Sequence, residues 1–292
     1  MTSFLAIVLL VPTELVLRDN GSMYDYTGTG PPIPVLGVPV VNGVSLIKRL
    51  VESIDHPVRR LVFVHNQDEG QPNESVGHAI RELKRNPPKL VGRVVVHTYP
   101  ANLGVSAAWN TIILKHSAPW WLVANADVAF VKGTLKFIAK RITTALQTNA
   151  TTCNWLFRGY SLYAMTPRTV SRVGTFDENF WPAYSEDCDY QKRLVESNCP
   201  TDRVAVPLLH AGSSTHNALP NSKLFKIVNT GGAAFNNQDY LRRKWGDDFT
   251  CGRMERTGLP VSLSWRIDEK RRLERGGPKM CVACDKASWV VH

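Results

Sequence analysis

The sequence predicts an α/β protein built on a mixed, mainly parallel sheet flanked by helices. Three observations lead there. Short apolar runs alternate with longer runs of helical spacing, the order expected when helices carry the chain back between parallel strands. The chain has 292 residues, 43% of them hydrophobic, enough for one large domain with a filled core. The run Trp120-Trp-Leu-Val-Ala-Asn-Ala-Asp127 delivers a single Asp at the end of an apolar strand, the edge at which open α/β sheets collect ligands.

The elements follow in order. Phe4–Pro12 is apolar and reads as a first buried strand. Residues 19–34 are rich in Gly, Pro, Asn and Tyr and read as a loop inserted early. Leu46, Ile47, Leu50, Val51 and Ile54 fall on one side of a helix over Ser45–Ile54. Leu61–His65 is a second strand, Ser75–Lys84 a helix and Arg93–Tyr99 a third strand. Asn102-Leu-Gly104 opens a helix through Leu114, with Asn102 as its cap. Trp120–Ala124 is the fourth strand, followed by a helix over Thr134–Gln147, a strand over Trp155–Met165 and a short helix over Pro167–Val173. Glu186–Glu196 forms a helix whose acidic first turn suits the positive end of its dipole. A short strand, Arg203–Pro207, leads to His210. Periodicity weakens after Gly246, which divides the chain into a domain over residues 1–246 and a basic C-terminal extension over 247–292.

The net charge is +10. Basic character suits phosphorylated ligands or an anionic membrane surface, and peripheral membrane contact stays open. No long alternation of basic and aromatic residues suggests a nucleic-acid platform, so no nucleic-acid partner is expected. No segment has the roughly 18 to 20 apolar residues that a membrane span needs. The six cysteines are scattered, and only Cys281-Val-Ala-Cys284 has paired spacing, too few ligands for a closed zinc site. Reduced thiols and a soluble, cytoplasmic setting are expected.

Chemistry concentrates between Gly174 and Arg193. Asp177, Glu178, Glu186, Asp187 and Asp189 lie among Phe176, Phe180, Trp181 and Tyr184. Carboxylates among aromatics are costly unless paired, hydrogen-bonded or bound to a metal. An aromatic wall also raises a carboxyl pKa toward the range of a general base.

These residues carry a resemblance. Asn102-Leu-Gly-Val-Ser-Ala-Ala-Trp-Asn110, Asn125-Ala-Asp127, Phe176-Asp-Glu-Asn-Phe180, Tyr184-Ser-Glu-Asp-Cys-Asp-Tyr-Gln-Lys-Arg193 and Lys244-Trp-Gly246 occur in this order. Together they resemble the family 2 inverting glycosyltransferases of the GT-A fold, over roughly residues 4 to 246. One departure is Asn125, which stands where the family's metal motif has its first Asp.

The resemblance implies a reaction and a site. A nucleoside-diphosphate sugar would be the donor and a glycan or other hydroxyl compound the acceptor. A divalent ion, Mn²⁺ or Mg²⁺, would bridge the diphosphate, held by Asp127 and by His210 after a late strand. Neutral Asn125 would meet the ribose or a metal-bound water. Asn66, Asp68, Asn102 and Gly104 would lie against the nucleotide. Asp187 would be the base that takes the acceptor's proton, Glu186 would orient the acceptor or its partner, and Asp189 would point away or bond locally. Trp181, Tyr184 and Asp177 would face the acceptor. Plainer readings stand beside each of these: Asp127 as a turn cap, His210 as a structural histidine, Trp181 and Tyr184 as core. The rival functions are a sugar nucleotidyltransferase, a non-catalytic sugar-binding relative and a basic nucleic-acid binder.

Overall fold

The computed structural model describes residues 16–17, 23–24, 30–67, 74–210, 233–251, 255–258, 265–274 and 281–283, with single positions 261, 277 and 279. The expected strand Phe4–Pro12, together with Asp68 and His216, lies outside the described residues.

Two short strands, β1 (Val16–Leu17) and β2 (Met23–Tyr24), pair antiparallel. The main sheet then begins with β3 (Ile33–Val40), a strand that sequence reasoning assigned partly to the inserted loop and otherwise passed over. Pro34 and Pro39 disguised it. Each sits one residue from an end of the strand, where a missing N–H donor costs little. The chain continues through α1 (Val44–Glu52), β4 (Val58–Asn66), α2 (Glu74–Arg85), β5 (Val91–Tyr99), α3 (Val105–Lys115), β6 (Trp121–Ala124), β7 (Val128–Phe130) and α4 (Thr134–Gln147). Next come β8 (Asn154–Leu156), β9 (Leu162–Met165), α5 (Pro167–Val173), α6 (Glu186–Glu196), β10 (Thr201–Arg203) and β11 (Leu208–His210). The last described helices are α7 (Ala233–Trp245) and α8 (Glu269–Glu274).

The main sheet has seven strands in the order β10-β8-β9-β6-β3-β4-β5. Only β9 runs against the rest, pairing antiparallel with both β6 and β8. This is the mainly parallel architecture the sequence predicts, with one refinement. The single strand expected over Trp155–Met165 is a hairpin, turned where Gly159 takes φ 55°. β7 and β11 form a separate antiparallel ribbon.

Period-2 alternation splits the core between the faces of the sheet. Leu36, Val38, Leu61, Phe63 and Leu122 pack on the side of α1, α2 and α4. Val35, Val62, Val64, Trp121 and Val123 pack on the side of α3. Gly37 lets α3 approach closely, because a Cβ there would lie 2.4 Å from the Ile112 side chain.

Two disulfides, Cys153–Cys199 and Cys188–Cys251, correct the expectation of reduced thiols, and Cys281 is disulfide-bonded as well. With that expectation goes the ground for a cytoplasmic setting. The first two pairs are 46 and 63 residues apart, so no local spacing announces them. Among the described residues no helix is long and apolar enough to cross a membrane.

Candidate active site

The C-terminal ends of β3, β4 and β6 open onto a cavity of about 320 Å³, a size typical of small-molecule sites. Strand order reverses here. β4 and β5 extend the sheet on one side of β3, and β6 joins on the other, so the connections diverge and leave a crevice. Pro39 and Val41 line it from the end of β3, Asn66 from β4, and Asn125 and Asp127 from the turn after β6. The segment into α6 supplies a second wall: Pro182, Ala183, Tyr184, Glu186 and Asp187.

At the first wall, Asp127 is almost fully buried, and its backbone carbonyl accepts a hydrogen bond from Arg49 of α1 at 3.0 Å. The β7–β11 ribbon sets His210 opposite Val128. The imidazole Nε2 therefore lies 3.4 Å from Oδ1 of Asp127. Among the described residues no group of three or more His, Cys, Asp or Glu could enclose a metal. One carboxylate and one imidazole at an open cavity instead suit a divalent ion whose remaining ligands are phosphate oxygens and water. Asn125 lines the same corner, and its backbone N–H donates to the Ser161 carbonyl at 2.9 Å.

The second wall is strained. Tyr184 and Ser185 have φ of 77° and 71°, a left-handed backbone that costs about 1–3 kcal/mol per non-glycine residue and persists only when clamped. The clamp is Asn237 of α7, whose amide donates to the carbonyls of Ala183 at 2.8 Å and Tyr184 at 3.1 Å. Sequence reasoning missed it, since a polar residue on a distant helix carries no local signal.

This turn delivers Glu186 and Asp187 to the cavity. Burial, and then the neighbouring Asp187, push the Glu186 carboxyl up from its usual 4.5 to about 8 against two backbone N–H groups, so it holds its proton at neutral pH. Burial raises Asp187 too, but the backbone N–H of Cys188 supports its charge through a 2.8 Å bond to Oδ1. Within one turn the two carboxyls thus sit differently: Asp187 is the less buried and is backed by a backbone N–H.

The other three carboxylates of the segment face inward. Asp177, wholly buried, takes hydrogen bonds from Lys244 at 2.8 Å and Tyr240 at 2.9 Å. It does not line the cavity, which corrects its expected acceptor contact. Glu178 accepts from Asn110 of α3 and from the backbone N–H groups of Val282 and Ala283, each at 2.8 Å. Asp189 pairs with Arg193 at 2.9 Å and with Lys244 at 2.7 Å. Burial would raise the Asp189 carboxyl, but Arg193 and Lys244 outweigh it and hold it low.

Trp181 is likewise structural. It is 3% exposed, and its indole N–H donates to the Asn102 carbonyl at 2.8 Å. Tyr184, 41% exposed, does line the cavity. Asn102 lines it as well, but does not cap the helix. α3 starts at Val105 with Gly104 at φ 92° as its N-cap, and the Asn102 side chain accepts the Gly104 N–H at 2.9 Å. Gly104 lies behind this wall, its carbonyl accepting from the Asn66 amide at 3.3 Å. Trp109, Tyr160 and Ser161 also line the cavity and were not anticipated.

The sequence matches no protein-family model and no curated protein. Solved structures similar to the chain include the mannosyltransferase PcManGT from Pyrobaculum calidifontis in complex with GDP-Man and Mn²⁺. It is 15% identical over 73% of this chain and 70% of that one, with a TM-score of 0.47. S. aureus TarS 1–349 is 12% identical over 74% of each chain, with a TM-score of 0.46. At that level of likeness the cavity itself has to carry the functional reading.

Proposed function

We propose that the chain is an inverting glycosyltransferase of the GT-A type, moving a sugar from a nucleoside-diphosphate donor to a hydroxyl acceptor. One observation carries this: a strand-end Asp127–His210 pair and a helix-start Glu186-Asp187 pair line one crevice, at the point where strand order reverses. The nucleotide would lie over the strand ends beside Asn66 and Asn102. Asp127 and His210 would hold a divalent ion, Mn²⁺ or Mg²⁺, with Asn125 alongside. When bound, such an ion supplies charge stabilisation for the departing diphosphate.

The remaining chemistry belongs to the second wall. The acceptor oxygen attacks the anomeric carbon as the bond to the diphosphate breaks, and its proton passes to Asp187. Glu186, protonated at neutral pH, orients a hydroxyl without competing for that proton. Tyr184 offers its half-exposed ring to the acceptor.

The test is a donor screen. The protein is incubated with Mn²⁺ and a panel of nucleotide-sugars, and nucleoside-diphosphate release is measured, first by hydrolysis and then with sugar acceptors. NMR of the product's anomeric proton reads inversion. If no donor is bound or turned over, the proposal is overturned.

A further inference from the structure

Among the described residues, four polar atoms of cavity-lining side chains have no hydrogen-bond partner: Oδ1 of Asn66 stands at the end of β4, and the other three are Nε1 of Trp109, Oη of Tyr160 and Oε2 of Glu186. The last three residues are 2%, 6% and 6% exposed. A buried donor or acceptor without a partner is as costly as a lost hydrogen bond, and native structures hold few. Phenylalanine in place of Trp109 or Tyr160 would keep an aromatic ring there and strand nothing.

Neither ring is free to turn its polar atom elsewhere. Trp109, on α3, packs against Phe176 at 4.7 Å, Tyr163 at 5.4 Å and Tyr160 at 5.9 Å between centroids. Tyr160, in the turn between β8 and β9, packs against Tyr163 at 4.9 Å. The donors are thus fixed before any ligand arrives.

Their chemistry selects the ligand. Trp109 can only donate, Tyr160 can donate or accept, and Oε2 of Glu186 offers the complementary role in the same cavity. A phosphate or carboxylate would accept from the first two but would meet the Asp187 carboxylate, which lines the same cavity. An ammonium would leave the indole N–H unmet. A hydroxyl accepts and donates at once. We propose that Trp109, Tyr160 and Glu186 form a subsite that reads one ring hydroxyl of a neutral transferred sugar, an assignment that rests on the glycosyltransferase reading.

The test uses Trp109→Phe and Tyr160→Phe, each of which removes a donor and keeps an aromatic ring. Probes are GDP-mannose, UDP-glucose and UDP-galactose with Mn²⁺, each beside counterparts lacking one ring hydroxyl, in the hydrolysis assay without acceptor. Tyr160→Phe should melt at or above the wild-type temperature, since no internal hydrogen bond is lost, whereas Trp109→Phe also thins a packed ring cluster and is read by kinetics alone. Their kcat/KM on the preferred donor should fall about 10-fold or more, with no further loss on the one deoxy counterpart that lacks the hydroxyl being read. Equal kcat/KM for variant and wild type on every donor overturns the subsite. So does an equal loss on the parent donor and all its deoxy forms, which marks mere distortion, or a Tyr160→Phe melting temperature lowered by several degrees, which marks an internal partner. If the wild-type protein turns over no donor, the glycosyltransferase reading itself falls, a result distinct from these.

Discussion

The ammonium group of Lys244 lies 2.7 Å from Oδ1 of Asp189. The same nitrogen is 2.8 Å from Oδ2 of Asp177, and both carboxylates are wholly buried. Lys244→Met would leave two buried charges short of a partner. Stability should fall by about 3 kcal/mol or more, measured by urea unfolding. Arg141→Met, which breaks a partly exposed pair with Asp202, should cost less than about 1 kcal/mol. Similar losses in the two variants would show that the inner network does not hold the segment together.

Asp127 and His210 should act as a unit. Asp127→Ala and His210→Ala should each abolish the Mn²⁺-dependent part of donor binding in calorimetry while leaving the thermal transition cooperative. Donor affinity that responds to Mn²⁺ as in the wild type would remove the ion from this corner.

Asp187→Asn keeps the shape and removes the base. Turnover should fall by about 10²-fold or more, with donor binding retained. Glu186→Gln should cost less activity, because it conserves a hydrogen-bonding group at Oε2. Asp189→Asn should reveal itself in unfolding rather than in turnover, since its partners are Arg193, Lys244 and Trp245. An Asp187→Asn enzyme as fast as wild type would refute the assignment of the base.

Glu186 also sets a pH dependence of stability. Its carboxyl rises from 4.5 to about 8 on folding. Between those values the unfolded chain has lost the proton and the folded one keeps it, so stability falls as pH rises across this window. Glu186→Gln should flatten the slope there and leave the protein more stable at pH 8 than the wild type. Asp189 works the other way, because its carboxyl is held low. Its contribution is present at neutral pH and is lost only in acid. Urea unfolding at pH 5, 6.5 and 8 distinguishes the two.

Most elements were legible because their signals are local. The helices over Thr134–Gln147, Pro167–Val173 and Glu186–Glu196 appear with the expected bounds. β3 was passed over because proline and glycine read as turn residues even where seven of its eight positions are buried. Five carboxylates in 13 residues could be recognised as a charged cluster, but their division into inward and outward members could not. Lys244, Tyr240 and Asn110 make that division from helices far along the chain. Asp127, Glu186 and Asp187 were legible because strand ends and helix starts are the edges where side chains meet ligands. Trp109 and Tyr160 were not, since a buried ring and a ligand-facing ring look alike in sequence.

The Asn237 clamp has a consequence for how the protein is made. The main sheet, Asp127 and His210 are all encoded before residue 211, and a nascent chain of that length holds both members of the pair. The Asn237 amide that donates to the carbonyls of Ala183 and Tyr184 is added only once α7 has been synthesised. The Asp127–His210 side of the cavity is thus encoded before the clamp on the Glu186-Asp187 side, and a chain cut short ahead of Asn237 would lack the two hydrogen bonds that hold this left-handed turn.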